Sequence, residues 1–250
     1  MSRLVLGVNA VRAALTERPR EVRKLYLKAG SEGGEIALLA RRLGLRWQSL
    51  AVEQLTRLGQ GEKHQGVIAE LADFHYRGLE ELFDGIPVGE PALLLFLDGI
   101  EDPHNLGAIV RSAMALGAHG LVIPQDRAAG VTPAVGRAAA GALESARIAQ
   151  VVNLSRAIEA AKERGLWVAV ADQAASQPVW QADLTGPLAI VVGAEGKGVR
   201  PLVRRHCDLA LQIPILGAVG SLNASVAAGV LLYEAMRQRR AKGPAEKRRQ

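Results

Sequence analysis

The sequence predicts an α/β protein: a parallel sheet covered by helices, preceded by a smaller α/β unit. Three observations carry that prediction. Beyond Ala92 the candidate strands ALLLFLDGI, GLVIP, LWVAVAD, LAIVVGAE and LALQIPI are continuously apolar, as strands buried on both faces must be. Helical segments alternate with these strands, the order expected when every connection crosses a parallel sheet. Ahead of them, a shorter α/β pattern over residues 1–73 gives way to a stretch of weak pattern at 74–91.

Composition sets the bounds. With 250 residues, 49% of them apolar, the chain can bury one large core or two modest ones. No run approaches the roughly 18 apolar residues of a membrane span, and MSRLVLGVNA turns polar too soon for a secretory signal, so a cytoplasmic protein without a membrane partner is expected. The single cysteine, Cys207, allows no intramolecular disulfide, and the five histidines show no HxxxH or HxH spacing; no metal is expected. Charge is uneven. Residues 237–250 hold seven Lys/Arg against one Glu, a surplus equal to the +6 of the whole chain. Residues 1–73 hold twelve basic and eight acidic side chains, and residues 74–236 twelve and sixteen. Basic ends around a slightly acidic middle suit a polyanion, and without a basic amphipathic helix bearing aromatic anchors that polyanion is nucleic acid rather than membrane. A solvated tail kept for solubility is the plainer alternative.

In order, GVNAVRAALTE repeats apolar residues at Val8, Val11, Ala14 and Leu15, a helical period with Asn9 near its start. VRKLYLKAG alternates as a strand, EIALLARRLG is a helix stopped by Gly44, LRWQSL a strand, VEQLTRLG a short helix and HQGVIAELA a third strand. FHYRGLEELFDGIPVGEP reads as a linker with one helical turn. Among the apolar strands, NLGAIVRSAMALG is a helix ending at Gly117. TPAVGRAAAGALESA opens on Thr132 as N-cap with Pro133 behind it, and SRAIEAAKERG opens on Ser155 and closes on Gly165.

Ligands of such a sheet bind at the carboxyl ends of its strands, and three of those ends are unusual. In DGIEDPHNLGAIVR, Asn105 heads a helix, Gly107 leaves room beside it and Arg111 lies further in, a residue type that holds phosphate or carboxylate with two parallel hydrogen bonds. An Asn cap with a surface Arg is the plainer reading. In VVGAEGKG, Gly193 ends a buried strand, Glu195 is the one carboxylate, and Gly196 and Gly198 permit a tight turn. It is neither a Walker loop, whose glycine spacing is longer and whose Lys precedes Ser or Thr, nor a GxGxxG fingerprint. In LQIPILGAVGSLNASVAAGVLLYEA, a strand and a loop with Gly217 and Gly220 lead to Ser221 and Asn223 at the start of a long helix, where Asn223 is a plain N-cap or, with Ser221, a partner for a ligand. Its Ala224, Ala227, Ala228 and Gly229 are small enough for close packing.

NLGAIVR (105–111), LAIVVGAEGKGV (188–199) and IPILGAVGSLNASVAAGVLLYEA (213–235) together resemble the three ordered motifs of the SpoU, or TrmH, family of RNA ribose 2'-O-methyltransferases. GVNAVRAAL and HQGVIAE resemble that family's small substrate-binding domain. The third motif departs in one place: Gly217-Ala218-Val219-Gly220 stands where the family has serine-rich residues. The resemblance implies a SPOUT-type α/β catalytic domain with a C-terminal deep trefoil knot, which nothing in the periodicity shows. It implies an L30e-like RNA substrate-binding domain at 1–73, a linker at 74–91, the catalytic domain at 92–241 and a basic tail at 242–250. It further implies S-adenosyl-L-methionine as cofactor, structured RNA as partner and a homodimer. The reaction it implies is methylation of a ribose 2'-hydroxyl, of a guanosine in 23S rRNA; a transfer RNA substrate, or a noncatalytic role in RNA binding or ribosome assembly, is the alternative. By position, Asn105, Arg111, Glu195, Ser221 and Asn223 form the implied catalytic set, and Gly193, Ile213 and Leu222 the cofactor contacts. Arg111 is expected to hold an RNA phosphate or the developing alkoxide rather than act as a base, because a guanidinium stays protonated.

Overall fold

The computed structural model of the chain describes residues 2–243, so the expected basic tail lies outside the described residues from position 244 onward. The chain begins with β1 (Ser2–Leu6), α1 (Val8–Glu17), β2 (Val22–Lys28), α2 (Glu35–Arg42), β3 (Gln48–Leu50), α3 (Val52–Leu58) and β4 (Val67–Ala72). It continues through α4 (Leu79–Asp84), β5 (Leu93–Asp98), α5 (Pro103–Ala115), β6 (Gly120–Pro124), α6 (Pro133–Ala139) and β7 (Ile148–Val151). The remainder is α7 (Leu154–Glu163), β8 (Trp167–Ala171), β9 (Gln177–Pro178), β10 (Leu188–Gly193), α8 (Pro201–Arg205), β11 (Leu209–Gln212) and α9 (Ala224–Ala241).

Two compact units result. Among the described residues, one holds positions 2–75 together with Val131–Ser145, and the other Tyr76–Gly130 and positions 146–243. In the first, a four-stranded sheet of order β1-β4-β2-β3 turns Leu25, Leu27, Val67, Ala69 and Leu71 toward Val11, Ala14 and Leu15 of α1 and Ile36, Ala37 and Ala40 of α2. The apolar periods of 2 and 3.6 residues meet there, which is why the segments take these forms. β1 was not expected: its five residues are mostly part-exposed, and antiparallel pairing with β4 makes them a strand. The start of α1 is fixed by Gln65, whose Oε1 accepts the Val8 N–H at 3.0 Å, so Asn9 is not its cap. Val131–Ser145, expected within the catalytic segment, is held in this unit by Glu144. That buried carboxylate accepts two hydrogen bonds from the Arg3 guanidinium, 2.8 Å for the Nη1 bond, and its backbone carbonyl accepts Arg18 Nε at 2.7 Å.

The second unit is a seven-stranded sheet of order β7-β6-β5-β10-β8-β11-β9, parallel at every pairing. Its central strands β5, β6 and β10 are buried almost throughout, as their unbroken apolar sequences require. β7, β9 and α8, which the sequence did not announce, are short pieces at or beside the edges of this sheet. The expected linker is more than a tether here: α4 buries Leu82 and Phe83 in the core, and Leu82 packs so tightly on β6 that a side chain at Gly120 would collide with it. Helix starts shift slightly from expectation. Asp102 caps α5, its Oδ1 accepting the His104 N–H at 2.9 Å with Pro103 at the first helical position, so Asn105 lies inside the first turn. Asn153, not Ser155, caps α7, while Thr132 caps α6 and Asn223 caps α9 as expected. α9 returns to pack beside α5, with Gly229 close to Ser112. Among the described residues no helix is long and apolar enough to cross a membrane.

A candidate active site at the strand ends

β10 lies between β5 and β8, so the sheet's winding reverses at its centre and the carboxyl ends of β5 and β10 stand side by side, Gly193 level with Asp98. Just past Gly193 the chain folds into a tight knuckle. Gly198 N–H donates to Ala194 O and Lys197 N–H to Glu195 O, both at 2.8 Å, and Gly196 and Gly198 have φ of 72° and 65°, which glycine alone adopts freely. The folded-back backbone lies against Gly193 so closely that any Cβ there would run into Gly198. The three glycines thus fix where Glu195 stands.

Glu195 Oε1 accepts Asn105 Nδ2 at 2.7 Å and Asn223 Nδ2 at 2.5 Å, and Asn223 Nδ2 also reaches Asn105 Oδ1 at 2.9 Å. One residue from each of the three motifs therefore meets at a point. Asn223 serves two purposes. Its Oδ1 accepts Ser225 N–H at 2.9 Å and Ser225 Oγ–H at 2.6 Å to cap α9, which forces its amide N–H groups toward Glu195. The cap and the polar cluster are one arrangement rather than rival explanations of the same residue.

Two clefts share the knuckle as a wall. One, of about 450 Å³, runs along the ends of β8, β10 and β11 and is lined by Gly193, Ile213, Ser221 and Leu222 together with Ala171–Ala174, Gly220 and Ala227. The other, of about 570 Å³, opens on the α5 side and is lined by Asn105, Glu195, Asn223, Arg127, Lys197 and Arg200 with Asp98 at its base. Ala194, Glu195, Lys197 and Gly198 line both. The first cleft falls within the roughly 300–1,000 Å³ of small-molecule sites. Its walls are mostly small or apolar, and its polar side chains are Asp172, Gln173, Glu195, Lys197, Arg204 and Ser221, with Asp172 ion-paired to Arg204. That donor set fits an adenosine carrying an amino acid: apolar walls for a flat base, a carboxylate for ribose hydroxyls, a cation for a carboxylate.

Of the expected site residues, Asn105, Glu195 and Asn223 come together, and Gly193, Ile213, Ser221 and Leu222 line the first cleft beside them. Arg111 does not join them. It is exposed on α5 and lines neither cleft, because six residues from Asn105 is about 240° around the helix. Sequence reasoning missed Asp98, Arg127, Lys197 and Arg200. Asp98 is fully buried and binds the Arg200 backbone N–H at 2.8 Å, Nε at 2.7 Å and Nη2 at 2.6 Å, pinning the chain as it leaves the knuckle. Its signal was present: an acid ending a wholly apolar strand. Glu195 meets two asparagines. Behind the site, burial pushes the Cys207 thiol up to about 12, with the nearby Asp208 adding to the shift, so it stands as an inert packing group. Among the described residues no cluster of His, Cys, Asp or Glu could hold a metal ion.

Known proteins bear on this geometry. The SpoU rRNA Methylase family profile matches residues 92–233, and the RNA 2'-O ribose methyltransferase substrate binding profile matches residues 4–77. The chain is 42% identical over 251 residues to the 23S rRNA (guanosine-2'-O-)-methyltransferase RlmB of Pseudomonas putida, covering 95% of this chain and 97% of that one. It is also 42% identical to the putative TrmH family tRNA/rRNA methyltransferase YacO of Bacillus subtilis, covering 94% and 95%. Among solved structures it is similar to the SpoU methyltransferase AviRb of Streptomyces viridochromogenes in complex with AdoMet. That match has a TM-score of 0.79 at 30% identity and covers 96% of this chain and 91% of that one. Three motifs converging on one carboxylate, a cleft suited to an adenosyl amino acid, and these matches across nearly the whole length lead to one conclusion: the chain belongs to the SpoU rRNA Methylase family.

Proposed function

We propose that this protein transfers the methyl group of S-adenosyl-L-methionine to a ribose 2'-hydroxyl, that of a guanosine in 23S rRNA. The observation that carries the reading is the Asn105–Glu195–Asn223 cluster on the wall between two clefts, one fitted to the cofactor and the other open and polar. Relatives named for 23S rRNA guanosine methylation match over nearly the full length, while the tRNA modifying TrmH/SpoU enzyme of A. aeolicus matches only 67% of this chain; that favours ribosomal over transfer RNA.

When bound, the cofactor supplies an electrophilic methyl on a sulfonium sulfur. Gly193, Ile213 and Leu222 would hold it in the first cleft, where Ser221 and Lys197 would be available to its polar groups. Glu195 faces the second cleft with Oε1 held by the two asparagine amides, and no described residue donates to its Oε2. That oxygen accepts the ribose hydroxyl proton as the hydroxyl oxygen attacks, and the amide donors keep the carboxylate aimed. Holding both partners in line supplies much of the acceleration.

The active form is a homodimer with the C-terminal trefoil knot of the family, acting in the cytoplasm. The strand order, with β10 inserted between β5 and β8 and α9 returning to α5, supports the knot. Val226, Val230 and Tyr233, on one stripe of α9, are exposed at 50%, 36% and 55%, and Arg111 is exposed on the neighbouring α5. Burying that stripe against a second copy removes it from water and puts Arg111 at the boundary, where it holds RNA phosphate for the partner's site. Sedimentation of Val230→Glu tests the dimer: a monomer is expected, and an unaltered mass would remove this face. The reaction is tested by nucleoside analysis of RNA incubated with protein and cofactor, with 2'-O-methylguanosine the expected product.

A further inference from the structure

We propose that Arg127, with Lys197, forms the phosphate-binding edge of the second cleft, Arg127 taking the phosphodiester next to the ribose that is methylated. The inference rests on the reading of that cleft as the RNA site and names the group that holds the backbone within it. Arg127 lies in the turn after β6, which is tied to the loop preceding α5 by the Ala129 N–H donating to Ile100 O at 2.8 Å. Its φ is 55°, a left-handed conformation that costs a non-glycine residue roughly 1–2 kcal/mol. That strained residue shares a cleft with Asn105, Glu195 and Asn223, is exposed, and makes no ion pair or hydrogen bond with any described residue.

Within the chain itself, the other candidates for this phosphate are committed elsewhere. Arg200 is taken up by the buried Asp98. Arg111 lines neither cleft. The amino end of α5, which would otherwise draw an anion, is occupied by the Asp102 carboxylate. Glu101, Asp102 and Glu195 make their side of the cleft repulsive to phosphate, so the backbone of a bound nucleotide is confined to the edge where Arg127 and Lys197 stand. Lys197 is held there by its backbone bond to Glu195 O and borders both clefts, a point charge beside Arg127's two-pronged fork. An RNA strand anchored on that edge presents its ribose toward Glu195.

The test compares wild type with Arg127→Ala and Arg127→Lys in binding to a 23S rRNA fragment across a salt series, in KM for that RNA, and in affinity for S-adenosylmethionine. Arg127→Ala is expected to flatten the log–log salt dependence by about one unit and to raise KM about tenfold, with cofactor affinity within twofold of wild type. Arg127→Lys restores the salt slope and only part of the KM, because the charge returns without the fork. An unchanged salt slope and KM in Arg127→Ala would overturn the proposal, as would a fall in cofactor affinity matching the fall in RNA affinity. RNA binding is read without turnover, so a wild-type protein that bound RNA and methylated nothing would sink the proposed reaction while leaving this test intact.

Discussion

Asn105, in the first turn of α5, donates to Glu195 across 2.7 Å, joining a helix start to a strand-end knuckle ninety positions away in the chain. The same carboxylate oxygen takes Asn223 from the head of α9. One acceptor thus fixes the mutual position of three segments that no local propensity brings together.

Asn223→Asp separates the cap from the cluster. Aspartate caps a helix as well as asparagine does, so the melting temperature stays within a few degrees, whereas Asn223→Ala loses about 1 kcal/mol. Aspartate offers no amide N–H and sets a second carboxylate against Glu195, and turnover falls by about 10²-fold or more. Thermal melts and single-turnover rates check both halves; an active Asn223→Asp protein would reduce the residue to a cap.

Glu195→Gln keeps the shape of the knuckle and removes the proton acceptor. Turnover drops roughly 10²–10⁴-fold and cofactor affinity changes by no more than a few-fold. Isothermal titration beside a rate measurement distinguishes this from loss of the fold, which would abolish both.

Gly193→Ala puts a methyl group where Gly198 already lies. The knuckle must open, taking with it the wall common to both clefts, so cofactor binding is lost in a protein whose sheet remains intact. Circular dichroism with cofactor titration reports the two separately, and wild-type affinity would contradict the close approach.

Cys207 stays a thiol at working pH. With its pKa pushed up to about 12 by burial, the thiolate fraction at pH 8 is on the order of one part in ten thousand, and alkylation of the native protein is far slower than that of a free thiol. Unfolding by urea restores the ordinary rate. Rapid labelling of the folded protein at pH 8 would show the site to be open.

How much of this was legible depends on range. The apolar runs of β5, β6, β8, β10 and β11 and the caps at Thr132 and Asn223 are local signals, and each marked its element. Asp102 prevailed over Asn105 as the cap of α5 because Pro103 fits the first helical position, a cue present but unused. The angle between Asn105 and Arg111 was countable from the helical repeat and should have separated them. β1, mostly part-exposed, and the short β7 and β9 at the sheet edges are not continuously apolar and exist through pairing. The placement of Val131–Ser145 depends on Arg3 and Arg18 reaching Glu144 across more than a hundred positions, and Arg127 sits in a turn with no periodic signal. Nothing local encodes either.

The most direct measurement is transfer of the labelled methyl group of S-adenosylmethionine to unmodified 23S rRNA and, in parallel, to transfer RNA, by wild type and Glu195→Gln, with nucleosides identified by mass spectrometry. The account predicts 2'-O-methylguanosine in the ribosomal substrate, made by wild type and lost in Glu195→Gln. Methylation of transfer RNA alone would contradict the substrate, and equal product from both proteins would contradict the site.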